Sequence, residues 1–138
     1  MTGGAGFIGS HIAQTLLEQG RTVRVLDNFS TGKRENIEVL TRQFGRDQLE
    51  VLEGDVRDAA RVKAAVSGIE VIFHEAAFVS VAQSMEEPQE CFDVNLTGTS
   101  QLFDAARRAG VRRAVVASSA AVYGDSEVLP SVEEAELQ

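Results

Sequence analysis

The stretch Thr2-Gly3-Gly4-Ala5-Gly6-Phe7-Ile8-Gly9-Ser10-His11 decides how this chain is read. Within it, Gly4-Ala5-Gly6-Phe7-Ile8-Gly9 matches the pattern G-x-G-x-x-G, and Gly3, Gly6 and Gly9 recur at every third position. Glycine suits such places for three reasons. It permits a tight turn with positive φ, a close backbone approach to a pyrophosphate, and close packing of a helix on a sheet. Apolar residues Ile8, Ile12, Ala13, Leu16 and Leu17 follow at helical spacing, which predicts a helix over Phe7 to Gln19 with Gly20 as its stop. Phosphate groups would sit at the start of that helix, where free N–H groups and the dipole favour negative charge.

Outward from the loop, short apolar strands alternate with helices. Strands are predicted at Thr22–Leu26, Leu49–Glu53, Val71–His74 and Ala114–Ser118. Helices are predicted at Lys33–Phe44, from an Asp58 cap through Ser67, and as one long helix from Pro88 to Ala109 closed by Gly110. The tail from Asp125 to Gln138 is acidic and without period. This alternation implies an α/β fold: a Rossmann-like, doubly wound parallel sheet with helices on both faces. Its strands should be buried. Only Met1 precedes the loop, where such a sheet places a central strand. The expectation is therefore a partial domain over residues 1–138, lacking its first strand and its C-terminal part, and folding poorly by itself.

Composition narrows the function. The chain has 138 residues, 43% hydrophobic and 25% charged, with a formal net charge of −8. That balance argues against a nucleic-acid surface. No apolar run is long enough for a membrane span, and no signal-like start is present. Cys91 is the single cysteine, so no internal disulfide or cysteine-rich metal site can form, and a cytoplasmic setting is expected. Two separated histidines, His11 and His74, do not make a metal site, and His74 reads as a hydrogen-bonded core residue.

Asp27 ends the strand after the first helix, close to the roughly 20-residue separation expected for the acid that binds an adenosine ribose. It would serve equally as a turn former beside Asn28. In the ligand reading, its carboxylate repels a 2′-phosphate, so NAD is favoured over NADP.

The segments TGGAGFIGSH, LDNFSTGKREN, EGDVRD, FHEAA, DVNLTGT and VVASSAAVYG occur in that order. Together they resemble the extended short-chain dehydrogenase/reductase family, in particular its nucleotide-sugar epimerases and dehydratases, with the 4-epimerases most similar. The resemblance runs from Thr2 to at least Gly124. It implies that Gly3, Gly6, Phe7, Ile8 and Gly9 line the pyrophosphate, Asp27 and Asn28 meet the ribose, and Asp55 and Val56 meet the adenine. Ala76 and Ala77 would pass under the cofactor, Asn95 would anchor the cofactor region, and Ser118 and Ser119 would lie beside nicotinamide and sugar.

Other roles stand beside these. Asp55 and Asp58 suit turn and helix caps, Ala76 and Ala77 suit tight packing, and Asn95 suits a solvated helix position. Asn95 does share a face with Cys91, Gly98 and Leu102, which reads as buried, with something packed closely on Gly98.

The resemblance also implies the chemistry. A tyrosine, held reactive by a lysine one turn on, takes a proton from the sugar hydroxyl while NAD takes the hydride, and a serine bonds the reacting oxygen. Ser119 matches that serine, or else merely caps the strand end. Tyr123 is the only tyrosine, no lysine follows Lys63, and so no Y-x-x-x-K pair occurs in these residues, which are expected to be inactive alone. Ala120 and Ala121 stand where the dehydratases carry acids, which favours epimerase. A dehydratase or reductase of the same family, or a non-catalytic dinucleotide-binding module, is the alternative. Phe78–Ser84 resembles the substrate-side loop of epimerases. A nucleotide-sugar substrate is implied, with no nucleic acid or membrane partner and a homodimer at full length.

Overall fold

The computed structural model describes residues 1–125 and 130–137. Helix α1 (Phe7–Glu18) leads to β1 (Val23–Asp27), α2 (Arg34–Phe44), β2 (Leu49–Glu53), α3 (Ala59–Val66) and β3 (Val71–His74). Then come α4 (Val81–Glu86), α5 (Pro88–Phe92), a π-helical turn (Asp93–Gly98), α6 (Thr99–Ala109), β4 (Arg113–Val116) and a 3₁₀ turn (Ala120–Tyr123). All strand pairing is parallel. β1 pairs with β2 from Val23–Leu49 to Asp27–Glu53, and β3 pairs with β4 from Val71–Arg113 to His74–Val116.

One residue joins these two pairs. Thr2 bridges Leu26 of β1 and His74 of β3, both in parallel. The Leu26 N–H donates to the Met1 carbonyl at 2.8 Å and the Gly3 N–H donates to the Leu26 carbonyl at 3.0 Å. On the other side the Thr2 N–H donates to the Phe73 carbonyl at 3.0 Å and the Glu75 N–H donates to the Thr2 carbonyl at 3.2 Å. Thr2 thus holds the central place between β1 and β3, where the sequence predicts no strand. The lateral order is β2, β1, Thr2, β3, β4.

Helices cover both faces, as the alternation predicts. Val23 and Val25 of β1 pack with Ala13 and Leu17 of α1 and Ile37 and Leu40 of α2. Leu26 points to the opposite face and packs with Val62 and Val66 of α3, Ile72 of β3, and Leu102 and Ala106 of α6. Period-two alternation along β1 therefore serves two cores at once.

Several boundaries differ from the sequence reading. Ile8 belongs to no core and is 61% exposed, because the buried face of α1 is the one carrying Gly9, Ser10, Ala13 and Leu17. The strand expected at Ala114–Ser118 is shifted to Arg113–Val116 and is exposed at every position, since among the described residues it pairs with β3 alone. Val81–Glu86, read as part of a loop, is helical. Ser80 accepts from the Gln83 N–H at its start, and Glu87, restricted by the following Pro88, stops it at φ −125° and ψ 58°. The long helix from Pro88 keeps right-handed backbone throughout but contains a π turn. Gly98 in that turn is buried, and a Cβ there would lie 2.7 Å from Val56 Cγ2, the close neighbour its position implied. The face around it is not uniformly buried, because Asn95 is exposed. Of the acidic tail, residues 126–129 and 138 lie outside the described residues.

His74 is 3% exposed and hydrogen-bonded at both ring nitrogens, to Thr2 Oγ1 at 2.6 Å and Thr99 Oγ1 at 2.8 Å. Burial pushes its pKa below the usual value, so it sits there neutral. Replacing Thr2 by Val keeps the shape and strips this partner away. Thr2→Val should cost about 1–3 kcal/mol in a urea melt. Thr15→Val, which loses only an exposed bond to the His11 carbonyl, should stay within about 0.5 kcal/mol of the parent. Equal effects would show that the buried bond contributes nothing.

Candidate functional site

A cleft of about 410 Å³ opens at the carboxyl ends of β1, β2 and β3. It lies where the chain turns from one side of Thr2 to the other, the switch point at which open α/β sheets bind ligands. The volume is in the range of small-molecule sites. Gly3, Gly6, Asp27, Asn28, Asp55, Val56, Ala76 and Ala77 all line it. Eight of the residues singled out from the sequence therefore meet in one place.

The loop's shape comes from its glycines. Gly3 has φ +68°, and a Cβ on it would lie 2.6 Å from the Ala76 backbone nitrogen. A Cβ on Gly9 would run into the Gly3 carbonyl, so α1 starts in direct contact with the loop. Gly6 caps α1, and no acidic residue occupies the first turn. The helix thus presents its free N–H groups with no competing carboxylate of its own. Phe7 and Ile8 are 80% and 61% exposed and do not line the cleft. What Phe7, Ile8 and Gly9 offer is backbone, not side chain.

Asp27 is 7% exposed, and both carboxylate oxygens are engaged. Oδ2 accepts from the Ala5 N–H at 2.8 Å and Oδ1 from the Phe29 N–H at 2.8 Å. It thereby clamps the glycine loop to the turn after β1, the turn-forming role and the site role falling on one residue. Each oxygen retains acceptor capacity for a further donor. Asn28 lies beside it and donates from Nδ2 to Asp55 Oδ2 at 2.8 Å.

Asp55 at the end of β2 is the most heavily bonded acid. Arg57 supplies its backbone N–H and Nε to Oδ1 at 2.9 and 2.8 Å, and Nη2 to Oδ2 at 2.8 Å. The Arg57 guanidinium holds the Asp55 carboxyl far below the usual carboxylate range. Arg57 also donates from Nη1 to Glu90 Oε2 at 2.7 Å, tying β2 to α5. Asp58, by contrast, is the helix cap it was read as, accepting from Ala60 and Arg61 N–H groups.

Two groups lie outside the cleft wall. Asn95, in the π turn, accepts from the Phe78 N–H at 2.8 Å and donates to the Phe78 carbonyl at 2.9 Å, so it fixes the cleft-lining segment from behind. Ser118 and Ser119 are exposed beyond β4, and Ser119 Oγ accepts from the Ala121 N–H at 3.2 Å. Arg57 and Glu90 were missed from the sequence, although Arg57 lies within the quoted segment EGDVRD. Among the described residues no cluster of metal-ligating side chains exists.

Fold and loop together define a Rossmann-like α/β architecture. Its likeness to solved structures is close: a UDP-glucose 4-epimerase from Stenotrophomonas maltophila, with bound NAD and formylated UDP-arabinopyranose, superposes with a TM-score of 0.88 at 35% identity. The match covers 99% of this chain and 41% of that one. A UDP-glucose 4-epimerase of Klebsiella pneumoniae is 41% identical over 135 residues, 96% of each protein. That of Corynebacterium glutamicum is 39% identical over all of this chain, which spans 40% of its length. The profile of the NAD dependent epimerase/dehydratase family matches residues 1–138. The chain belongs to that family.

Two glycines separate backbone strain from close approach. Gly20 has φ +74° with nothing near a Cβ, so Gly20→Ala should cost about 1 kcal/mol. Gly3→Ala carries the same strain plus the collision with Ala76 and should cost roughly 1–3 kcal/mol more, read by urea denaturation. Equal costs would mean the loop yields freely.

Proposed function

We propose that these residues form the NAD-binding part of a nucleotide-sugar 4-epimerase of the UDP-glucose or UDP-N-acetylglucosamine type. The observation carrying this reading is the convergence of the glycine loop, Asp27 and Asp55 on one cleft at the strand ends. The cleft fits the cofactor on its own evidence. At Gly3 and Gly9 a Cβ would strike backbone, and α1 offers a helix start free of first-turn acids. Named relatives carrying NAD and UDP-sugars support the same reading.

In this scheme the backbone of Gly3, Gly6, Phe7, Ile8 and Gly9 holds the pyrophosphate. Asp27 and Asn28 take the adenosine ribose, and Asp55 and Val56 the adenine. Ala76 and Ala77 leave room under the dinucleotide, and Asn95 holds the Phe78 segment. Bound NAD supplies a reversible hydride acceptor for the sugar's C4, through a 4-keto sugar. Ser118 lies near the nicotinamide end, and Ser119 hydrogen-bonds the reacting oxygen. Ala120 and Ala121 have no proton to give, which favours epimerization over loss of water. The proposed assembly is a homodimer and the proposed location the cytoplasm. Among the described residues no helix is long and apolar enough to cross a membrane.

Binding and turnover separate in the test. Calorimetric titration of the chain, under conditions where circular dichroism shows it folded, should give NAD affinity at least about tenfold above NADP, because Asp27 faces the added phosphate charge. Asp27→Asn should narrow that gap. Equal or tighter NADP binding would overturn the reading of Asp27.

The chain holds no Y-x-x-x-K pair, so these residues alone should not interconvert UDP-glucose and UDP-galactose. A coupled assay checks this. Measurable epimerization by them would show that the proton transfer uses another group.

A further inference from the structure

Arg57 makes more contacts across the cleft than any role assigned so far requires. It approaches Asp55 with three donors, two from the guanidinium and one from its own backbone. Its remaining arm reaches Glu90 on α5, on the opposite wall. Both acids and Arg57 itself line the cleft. About two thirds of the Arg57 side chain is covered, its relative exposure being 34%, so the fork is held by packing as well as charge.

We propose that Arg57 is the positioning residue for recognition of the adenine base: it aims the Asp55 carboxylate at the purine amino position and braces that end of the cleft against α5 through Glu90. The inference rests on the NAD reading above and extends it to a residue that reading does not use.

The geometry carries the argument. A planar guanidinium bonding a carboxylate through Nε and Nη2 fixes the plane of the acid, which a single contact would not. Arg57 bonds reach both oxygens of Asp55, and among the described residues Asn28 Nδ2 is the one other donor on it. An incoming amino group would join or replace Asn28 on Oδ2. The low pKa that Arg57 gives Asp55 has a further effect: the acid stays an acceptor across the working pH range. Without the Arg57 side chain its pKa rises from that depressed value, while the residue-57 backbone N–H and Asn28 Nδ2 still favour the ionised form. Since the acceptor form is the ionised one, base recognition in such a variant is lost as pH falls through the raised pKa.

The other charged groups around Asp55 come from every neighbouring element. Asp27 stands at the end of β1, Arg61 packs over Gly54 from α3, Glu75 follows β3, Glu87 precedes α5 and Glu90 lies on it. They are common to parent and variant, so the difference between the two pH profiles reports on Asp55.

The experiment compares NAD with nicotinamide hypoxanthine dinucleotide, which replaces the base's 6-amino donor by a carbonyl acceptor. Both are titrated calorimetrically into the parent chain, Arg57→Met, Arg57→Lys and Asp55→Asn, at pH 7 and at steps down to pH 5. The parent should favour NAD by at least about tenfold, nearly independent of pH. Arg57→Met should bring that ratio below about threefold. Arg57→Lys, which keeps the charge but not the fork, should lie between. Asp55→Asn should lose most of the preference at every pH.

Equal weakening of both dinucleotides in Arg57→Met, with the ratio kept, would overturn the proposal and leave Arg57 a purely structural brace. If that variant fails to fold by circular dichroism, Arg57→Lys with a parent-like ratio does the same. A parent chain that is folded by circular dichroism and binds neither dinucleotide would instead overturn the NAD reading itself. A parent that binds NAD without preferring it over the hypoxanthine form leaves NAD binding standing and removes the base-recognition role.

Discussion

The sheet depends on Thr2. A parallel sheet buried on both faces must satisfy every inward backbone group along its central strand. Here one short segment joins the carboxyl-terminal ends of both halves, with the Met1 carbonyl and Gly3 N–H bonded to β1 and the Thr2 N–H and carbonyl bonded to the end of β3. The Thr2 side chain adds a second link. Its hydroxyl bonds His74, whose other nitrogen bonds Thr99 on α6. Loop, sheet and helix layer are therefore coupled through one neutral, buried imidazole. Among the described residues, no buried side-chain polar atom is left without a partner.

That coupling sets the position of the cleft. Because Thr2 ends between β1 and β3, the glycine loop leaves the sheet where the crossovers diverge, and Gly3 is pressed against Glu75–Ala76. Neither strand end can then move independently of the loop. Asp27 adds a clamp from the β1 side through Ala5 and Phe29. The cleft floor is built from backbone and short side chains, which suits a ligand lying along it.

Electrostatics reconcile the cleft with an acidic chain. A net charge of −8 does not oppose an anionic ligand where the local donors face it and the nearby acids are engaged by donors of their own. Asp27 is bound by backbone N–H groups, and Asp55 and Glu90 share Arg57. The α1 terminus contributes positive potential that no first-turn acid cancels.

By itself the sequence determined the α/β class, the alternation of elements, the glycine loop and the acids at the ends of β1 and β2, because period, caps and spacing are local properties. β2 and β3 fall on their expected residues, and Asp58 and Gly110 cap as read. Only the tertiary structure decided what depends on distant neighbours. Val81–Glu86 is a helix without a buried stripe, so no period announced it. The bond from Asn95 to Phe78 joins residues 17 apart, across two helix starts. Arg57 looked like one more surface charge within EGDVRD until folding placed Glu90 opposite it, since whether an arginine is solvated or shared between two acids depends on which helix packs across the cleft.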